Sequence, residues 1–217
     1  MIASNNIWDS QTFHGRGAQI NPNNRFFKQE RVMEHIEVID EPMLLDDKTE
    51  YLQTFPKTII NKVESPDLMN LSLNPYQGCE HGCVYCYARN THEFWGFSAG
   101  LDFERKVIVK MNAAELLEKE LSSPRHKAEP MMFSGNTDCY QPIERKLQLT
   151  RKMLEVLLKF RHPAAMVTKN SLICRDIDIL ADMAKKNLVH VMISITGMDE
   201  DVRQKLEPRT STYKNRF

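Results

Sequence analysis

From residue 69 onward, short apolar runs alternate with longer stretches in which apolar residues recur every three or four positions. The runs read as strands and the stretches as amphipathic helices. "MNLSLNP" predicts a strand over 69–74 with Leu71 and Leu73 on one face, and "KVIVKM" is a strand candidate over 106–111. "NAAELLEKEL" predicts a helix capped by Asn112, with Glu115 placed as in a capping box and Leu117 and Leu121 at helical spacing. Further strands are expected at 131–135, 164–168 and 189–196. Pro142 opens a helix with Ile143, Leu147, Leu154, Leu157 and Leu158 along one side. A later helix carries Ile177, Leu180, Met183 and Ala184, and "DEDVRQKLEP" is a short helix behind the last strand.

Strand followed by helix, several times over, implies parallel strands with right-handed crossovers. Such strands, buried on both faces, should be continuously apolar, as these are. The fold class is α/β. Before residue 69 the pattern fades. Residues 1 to about 30 are rich in Asn, Gly and Gln and have no period, which predicts an extended or partly disordered arm. "RVMEHIEVI" and "PKTIINKV" predict two minor strands. The chain thus divides into an N-terminal arm with minor strands, 1–68, and a core domain, 69–217.

Composition narrows the function classes. The 217 residues are 41% hydrophobic and 27% charged, as in an ordinary globular domain or part of a larger one. Lysine plus arginine equals aspartate plus glutamate, at 29 each, so no overall field recruits nucleic acid or membrane. No basic, then apolar, leader opens the sequence, and no apolar run approaches the roughly 18 residues of a membrane span. A cytoplasmic protein without a membrane partner is expected. In that reducing compartment, clustered cysteines indicate metal or redox chemistry more often than disulfides.

Three of the five cysteines, Cys79, Cys83 and Cys86, form C-x3-C-x2-C directly after the first core strand. The other strands run into "GNTDCYQP", then Thr168, Lys169, Asn170 and Ser171, then Ser194, Thr196 and Gly197. Turns favour such residues anyway. Four such ends, the cysteine loop among them, describe a ligand-binding mouth at the carboxyl rim of the strands. Two metal readings follow. A structural zinc wants four ligands, with His81 or His92 as the fourth. A four-iron cluster held by three thiolates leaves one iron open for a ligand. A non-catalytic module, zinc-stabilised or an electron-transfer iron–sulfur protein, is the alternative to an enzyme.

C-x3-C-x-aromatic-C after the first strand of a (βα) domain resembles the signature of the radical S-adenosylmethionine (radical SAM) superfamily. "NPYQGCEHGCVYCYAR", "TDCYQPIE" and "VTKN" further resemble its spore photoproduct lyase-like branch, over residues 70 to 210. The resemblance implies a partial (βα)6 TIM-like barrel, a [4Fe–4S] cluster on Cys79, Cys83 and Cys86, and S-adenosylmethionine as cofactor. It implies reductive cleavage of S-adenosylmethionine to a 5′-deoxyadenosyl radical by an external one-electron reductant of flavodoxin or ferredoxin type. A nucleic-acid substrate follows by analogy with the lyase branch. Tyr85 matches the residue that lies against the adenine. Asn136 and Thr137 match the contacts to the amino-acid end of S-adenosylmethionine, although "GNTD" replaces the more usual Gly-Gly-Glu element. Lys169 is a candidate for its carboxylate and Ser194 for a ribose or carboxylate hydrogen bond.

Cys139, in the rim segment "TDCYQP", is a candidate hydrogen donor, set against the commoner role of a buried, inert thiol. Cys174 is expected in the core. "FWGF" is expected to pack over the cluster and shield it from water. The sequence ends at "STYKNRF", after about four βα units where the barrel has six. A chain truncated there would leave an open strand edge and would aggregate or dimerise.

Overall fold

The computed structural model describes residues 13–26, 48–63 and 69–217. Its strands are β1 (Glu50–Thr54), β2 (Ile60–Lys62), β3 (Leu71–Leu73), β4 (Tyr76–Gln77), β5 (Lys106–Lys110), β6 (Met131–Phe133), β7 (Ala164–Thr168) and β8 (Val189–Ile193). Its α-helices are α1 (Leu101–Arg105), α2 (Ala113–Leu121), α3 (Glu144–Leu147), α4 (Leu149–Lys159), α5 (Ile177–Ala184), α6 (Glu200–Leu206) and α7 (Tyr213–Arg216). The main sheet runs β2-β3-β6-β7-β8, antiparallel at β2 and parallel elsewhere.

Alternation along these strands sorts the side chains. Leu73, Met131, Phe133, Ala164 and Met166 join Leu117 of α2, Leu154 and Leu157 of α4, and Leu180 and Met183 of α5 in one core. Ser72 and Met132, of opposite parity, line a cavity instead. The strand-then-helix reading holds for β6, β7 and β8, whereas β3 leads first into β4.

The "KVIVKM" strand leaves the main sheet. β5 pairs in parallel with β1 and antiparallel with β4, forming a second, three-stranded sheet. Val107 and Val109 pack there with Tyr76, Ile143 and Leu149. β1, "EYLQT", has too little apolar alternation to announce itself. "PKTIINKV" forms β2, whereas "RVMEHIEVI" lies outside the described residues.

Several local expectations are corrected. Asn112 does not cap α2 with its side chain, which donates instead to the Pro56 carbonyl at 3.2 Å. The helix after Pro142 breaks at Gln148, which has φ 52°. The buried Glu144 carboxylate accepts the Thr150 N–H at 3.1 Å across that break. Ile177 is 65% exposed and Cys174 also faces solvent. Residues 171–176 form a 3-10 helix, whose three-residue turn shifts the inward phase to Ile173, Ile179 and Leu180. β8 is the edge of the sheet among the described residues, so Val191 and Ile193 are partly exposed rather than covered on both faces. No helix among the described residues is long and apolar enough to cross a membrane.

The arm is built into the core over residues 13–26. Phe13 and Arg16 are buried, and the Gly17 and Ala18 N–H groups donate to the buried Glu104 carboxylate at 3.0 and 2.7 Å. Gly17 backs onto Gly82 of the cysteine loop so closely that an added Cβ would stand 1.7 Å from the Gly82 carbonyl oxygen. Gly82 itself has φ +67°, a left-handed conformation that suits glycine. Gly17→Ala therefore has to push the arm off the loop. It should cost about 1–3 kcal/mol, read as a lower denaturation midpoint with unchanged m-value.

Candidate metal centre

β3 hands the chain through Asn74 and Pro75 to β4, and the cysteine loop hangs from the end of β4. Its first thiol is placed by the backbone, since Cys79 N–H donates to the Phe103 carbonyl at 2.9 Å. Cys86 N–H donates to Cys83 O at 3.2 Å, which folds the second half of the motif into a tight turn. Arg89 donates to the same Cys83 carbonyl at 2.9 and 3.2 Å and pairs with Glu104 at 2.6 Å. Cys79 and Cys83 are buried, Cys86 is half-buried, and all three are free thiols.

Buried carboxylates fasten the loop on every side. Glu80 accepts from Tyr51 at 2.7 Å, Thr49 at 3.1 Å and Arg209 at 3.4 Å. Asp138, in the loop after β6, accepts from Thr168 Oγ1 and Lys169 N–H, both at 2.8 Å, and from Tyr140 N–H at 2.9 Å. Its other oxygen also lies 3.3 Å from His81 Nδ1, and His81 Nε2 meets the Asn170 amide at 3.2 Å. Three strand-end loops thus converge on one carboxylate. On the far side, Tyr85 OH donates to Glu207, which forms a wholly buried pair with Arg216 at 2.7 Å. Val84 N–H donates to Leu206 O at 3.0 Å, so α6 closes over the motif.

The electrostatics suit bound thiolates only if a cation joins them. Burial pushes the Cys79 thiol well above its ordinary pKa, and the neighbouring Asp138 and Cys83 push the same way. Burial raises Cys83 to about 12, although Lys169 pulls it down. For Asp138 burial acts upward too, but His81 and the donated hydrogen bonds outweigh it and hold its pKa below the usual value.

The predicted site residues separate into groups. Tyr85 is half-exposed, and its ring centroid lies 5.9 Å from Lys169 Nζ, so these two and Cys83 share one side of the mouth. Asn136 lines the cavity beside Tyr87 and Gly135. The Thr137 hydroxyl is buried and donates to the Tyr76 carbonyl at 2.9 Å. Ser194 is held by its backbone, N–H to Thr168 O at 2.9 Å and carbonyl to Arg216 at 3.1 Å. Cys139 is wholly buried among the main-core residues. "FWGF" does not act as one shield: Phe94 is 72% exposed and stands 4.8 Å from Phe26, while Phe97 packs on His92 at 5.2 Å. His92 is buried, neither ring nitrogen is within hydrogen-bond geometry of a partner among the described residues, and burial lowers its pKa to about 4. Among the described residues no three His, Cys, Asp or Glu side chains gather as a single metal ion requires.

Asp138 and Glu207 are the residues that sequence reasoning missed. Asp138 had a signal, a lone acid in an otherwise uncharged strand-end segment. Glu207 had none, because its partner Tyr85 lies 122 residues away.

The sequence profile of the radical SAM superfamily matches residues 73–217. The chain belongs to that superfamily. The cofactors of this enzyme superfamily, and so of this chain, are a [4Fe–4S] cluster and S-adenosylmethionine. An uncharacterised protein of Mycobacterium tuberculosis is 34% identical over 74% of the chain and 48% of its own length. One from Methanocaldococcus jannaschii is 27% identical over 80% of the chain and 62% of its own length. The chain therefore spans about half the length of the mycobacterial relative. Among solved structures, a spore photoproduct lyase mutant superposes with TM-score 0.57 at 18% identity, over 84% of this chain and 51% of the other. Another mutant, with bound AdoMet and dinucleoside spore photoproduct, gives 0.54 at 17% identity over 76% and 45%. The fold is thus a mixed α/β fold with parallel strands, similar to that of spore photoproduct lyase.

Asp138→Ala removes the shared acceptor and leaves buried donors on three loops. A loss of about 2–4 kcal/mol is expected from denaturant melts, with faster thiol-reagent labelling of Cys83 in the native state.

Proposed function

We propose that Cys79, Cys83 and Cys86 hold the [4Fe–4S] cluster and that the chain is the core of an S-adenosylmethionine-cleaving radical enzyme. One observation carries this reading: three unpaired thiols, two of them buried, lie in a loop at the carboxyl rim of a parallel sheet. A cluster gives each thiolate its own iron, so its ligands stand further apart than those of one ion. Three thiolates would hold three of the four irons and would leave the fourth open for S-adenosylmethionine. When bound and reduced, the pair supplies a 5′-deoxyadenosyl radical for hydrogen abstraction.

The chain's own residues bind, orient and exclude water. Tyr85 offers a half-exposed ring for the adenine, steadied at its hydroxyl by Glu207. Lys169, anchored through its N–H on Asp138, presents an ammonium for the carboxylate of S-adenosylmethionine. Asn136 supplies an amide beside the loop, and Ser194 a hydroxyl at the end of β8. Thr137 serves the fold, since its hydroxyl already has an internal partner. His81 is engaged on both ring nitrogens, which supports a positioning role over that of a fourth ligand. An external reductant of flavodoxin or ferredoxin type supplies the electron. Likeness to a lyase solved with a dinucleoside photoproduct supports a nucleic-acid component as the substrate of the whole protein.

Anaerobic reconstitution should give brown protein with about four irons per chain. Its spectrum should change on adding S-adenosylmethionine, and dithionite should release 5′-deoxyadenosine. Cys83→Ala should lose most of the iron and all of that product. A colourless zinc protein would overturn the reading.

Cys139 is tested separately. Its burial in the core supports packing over hydrogen donation. Cys139→Ala should lower stability by about 1 kcal/mol or more and leave 5′-deoxyadenosine formation intact, as measured by thermal melts and product chromatography.

A further inference from the structure

A cavity of about 430 Å³ opens beside the cysteine loop, on the face of the main sheet turned away from its helices. Tyr87, the residue after Cys86, and Trp95 line it, together with Ser72 and Met132 of the sheet. Two lysines from different sheets also reach it, Lys62 from β2 and Lys110 from the end of β5. Among the described residues that line the cavity there is no acidic side chain.

Lys110 is the unusual member. Lys106, its neighbour four residues back, pairs with Asp102 at 3.2 Å. Lys110 is only 8% exposed, and no carboxylate among the described residues reaches it. Burial alone lowers its pKa, to about 8, and no acidic neighbour restores it. At neutral pH it therefore still carries most of its charge. A buried cation without a counter-charge is costly, and a protein retains one where an anion is to be met. Asn74 adds a neutral donor: its side-chain oxygen accepts the Asn136 N–H at 3.1 Å, which leaves its NH2 group to donate.

We propose that this cavity binds a phosphate group of the substrate, on Lys110 with Lys62 at the rim and the rings of Tyr87 and Trp95 alongside. Lysine meets phosphate as a compact point charge, and two amines in one cavity match an anion with several acceptor oxygens. The two aromatic side chains suit a planar ring attached to that phosphate. The phosphate belongs either to a polynucleotide backbone or to a small phosphorylated compound; the recognition chemistry is the same. That the cavity serves the substrate rests on the proposed function, whereas phosphate binding itself does not.

The test is amine acetylation of the reconstituted 217-residue chain, followed by peptide mass spectrometry of Lys110, with exposed Lys185 as the internal control. Inorganic phosphate should slow Lys110 labelling about tenfold against chloride at equal ionic strength, the effect of one charged hydrogen bond. Lys185 should not change. A nucleoside monophosphate and a single-stranded oligonucleotide lacking terminal phosphates form two further arms. Protection by both assigns the site to a polynucleotide backbone, and protection by the monophosphate alone assigns it to a small compound. Lys110→Met should weaken phosphate binding about tenfold by calorimetry. Unchanged Lys110 labelling with all three probes overturns the proposal, whether or not the variant folds. Protection without 5′-deoxyadenosine formation would sink the radical reading and leave the phosphate site standing; the converse would sink only the site.

Discussion

Everything at the carboxyl rim is organised around the Asp138 carboxylate. It is the shared acceptor for Thr168 and Lys169 at the end of β7 and for Tyr140 in its own loop, and it stands beside His81 in the cysteine motif. Loops alone do not hold a geometry, because each residue ordered costs conformational entropy. A nearly buried charge removes that freedom in one step, since every donor that leaves it exposes an unsatisfied ion to a low-dielectric surrounding. The same device recurs at Glu80 within the cysteine loop and at Glu104 and Glu207 packed against it, each with its own donors. The thiols stand where they do because four acids hold the backbone around them.

This arrangement explains an apparent contradiction in the site. Acids and burial both disfavour thiolates, yet thiolates are what the proposed cluster site has to present. On the proposed ligation the resolution lies in the cofactor of the superfamily, whose cationic irons would compensate the charge that the chain leaves uncompensated. Around that centre the molecule divides its labour by direction. Tyr85 and Lys169 lie together on the side closed by α6 and Glu207, while Tyr87, Asn136 and Lys110 meet in the cavity on the inner face of the sheet. In the proposed reading the first group, with Asn136, serves the nucleotide cofactor, and Tyr87 and Lys110 serve the substrate. Residues 85 and 87 flank Cys86, so one turn of chain serves both.

Much of the fold was legible because its cause is local. The apolar runs that became β3, β6, β7 and β8 are continuous, and the helices between them carry regular apolar stripes. Where legibility failed, a distant partner had intervened. Asn112 forgoes its cap for the Pro56 carbonyl, and β5 joins β1 rather than the main sheet. Gln148 takes a left-handed conformation beside the break at which Glu144 accepts the Thr150 N–H. Ile177 turned outward because a 3-10 turn preceding it altered the phase of the helix, a change of only a fraction of a residue that periodicity cannot register.

The sequence by itself determined the strand-and-helix alternation, the place of the three cysteines at a strand end and, through the resemblance of the surrounding motif, the family. These follow from side-chain period and from chemistry within a few consecutive residues. Only the tertiary structure decided what surrounds the thiols: the acids packed around the loop, the pairing of Tyr85 with Glu207, the core position of Cys139 and the Lys110 amine that no carboxylate among the described residues reaches. Those depend on which segments, far apart along the chain, come within hydrogen-bonding reach, and burial sets the energetic weight of each contact only once the chain has closed around it.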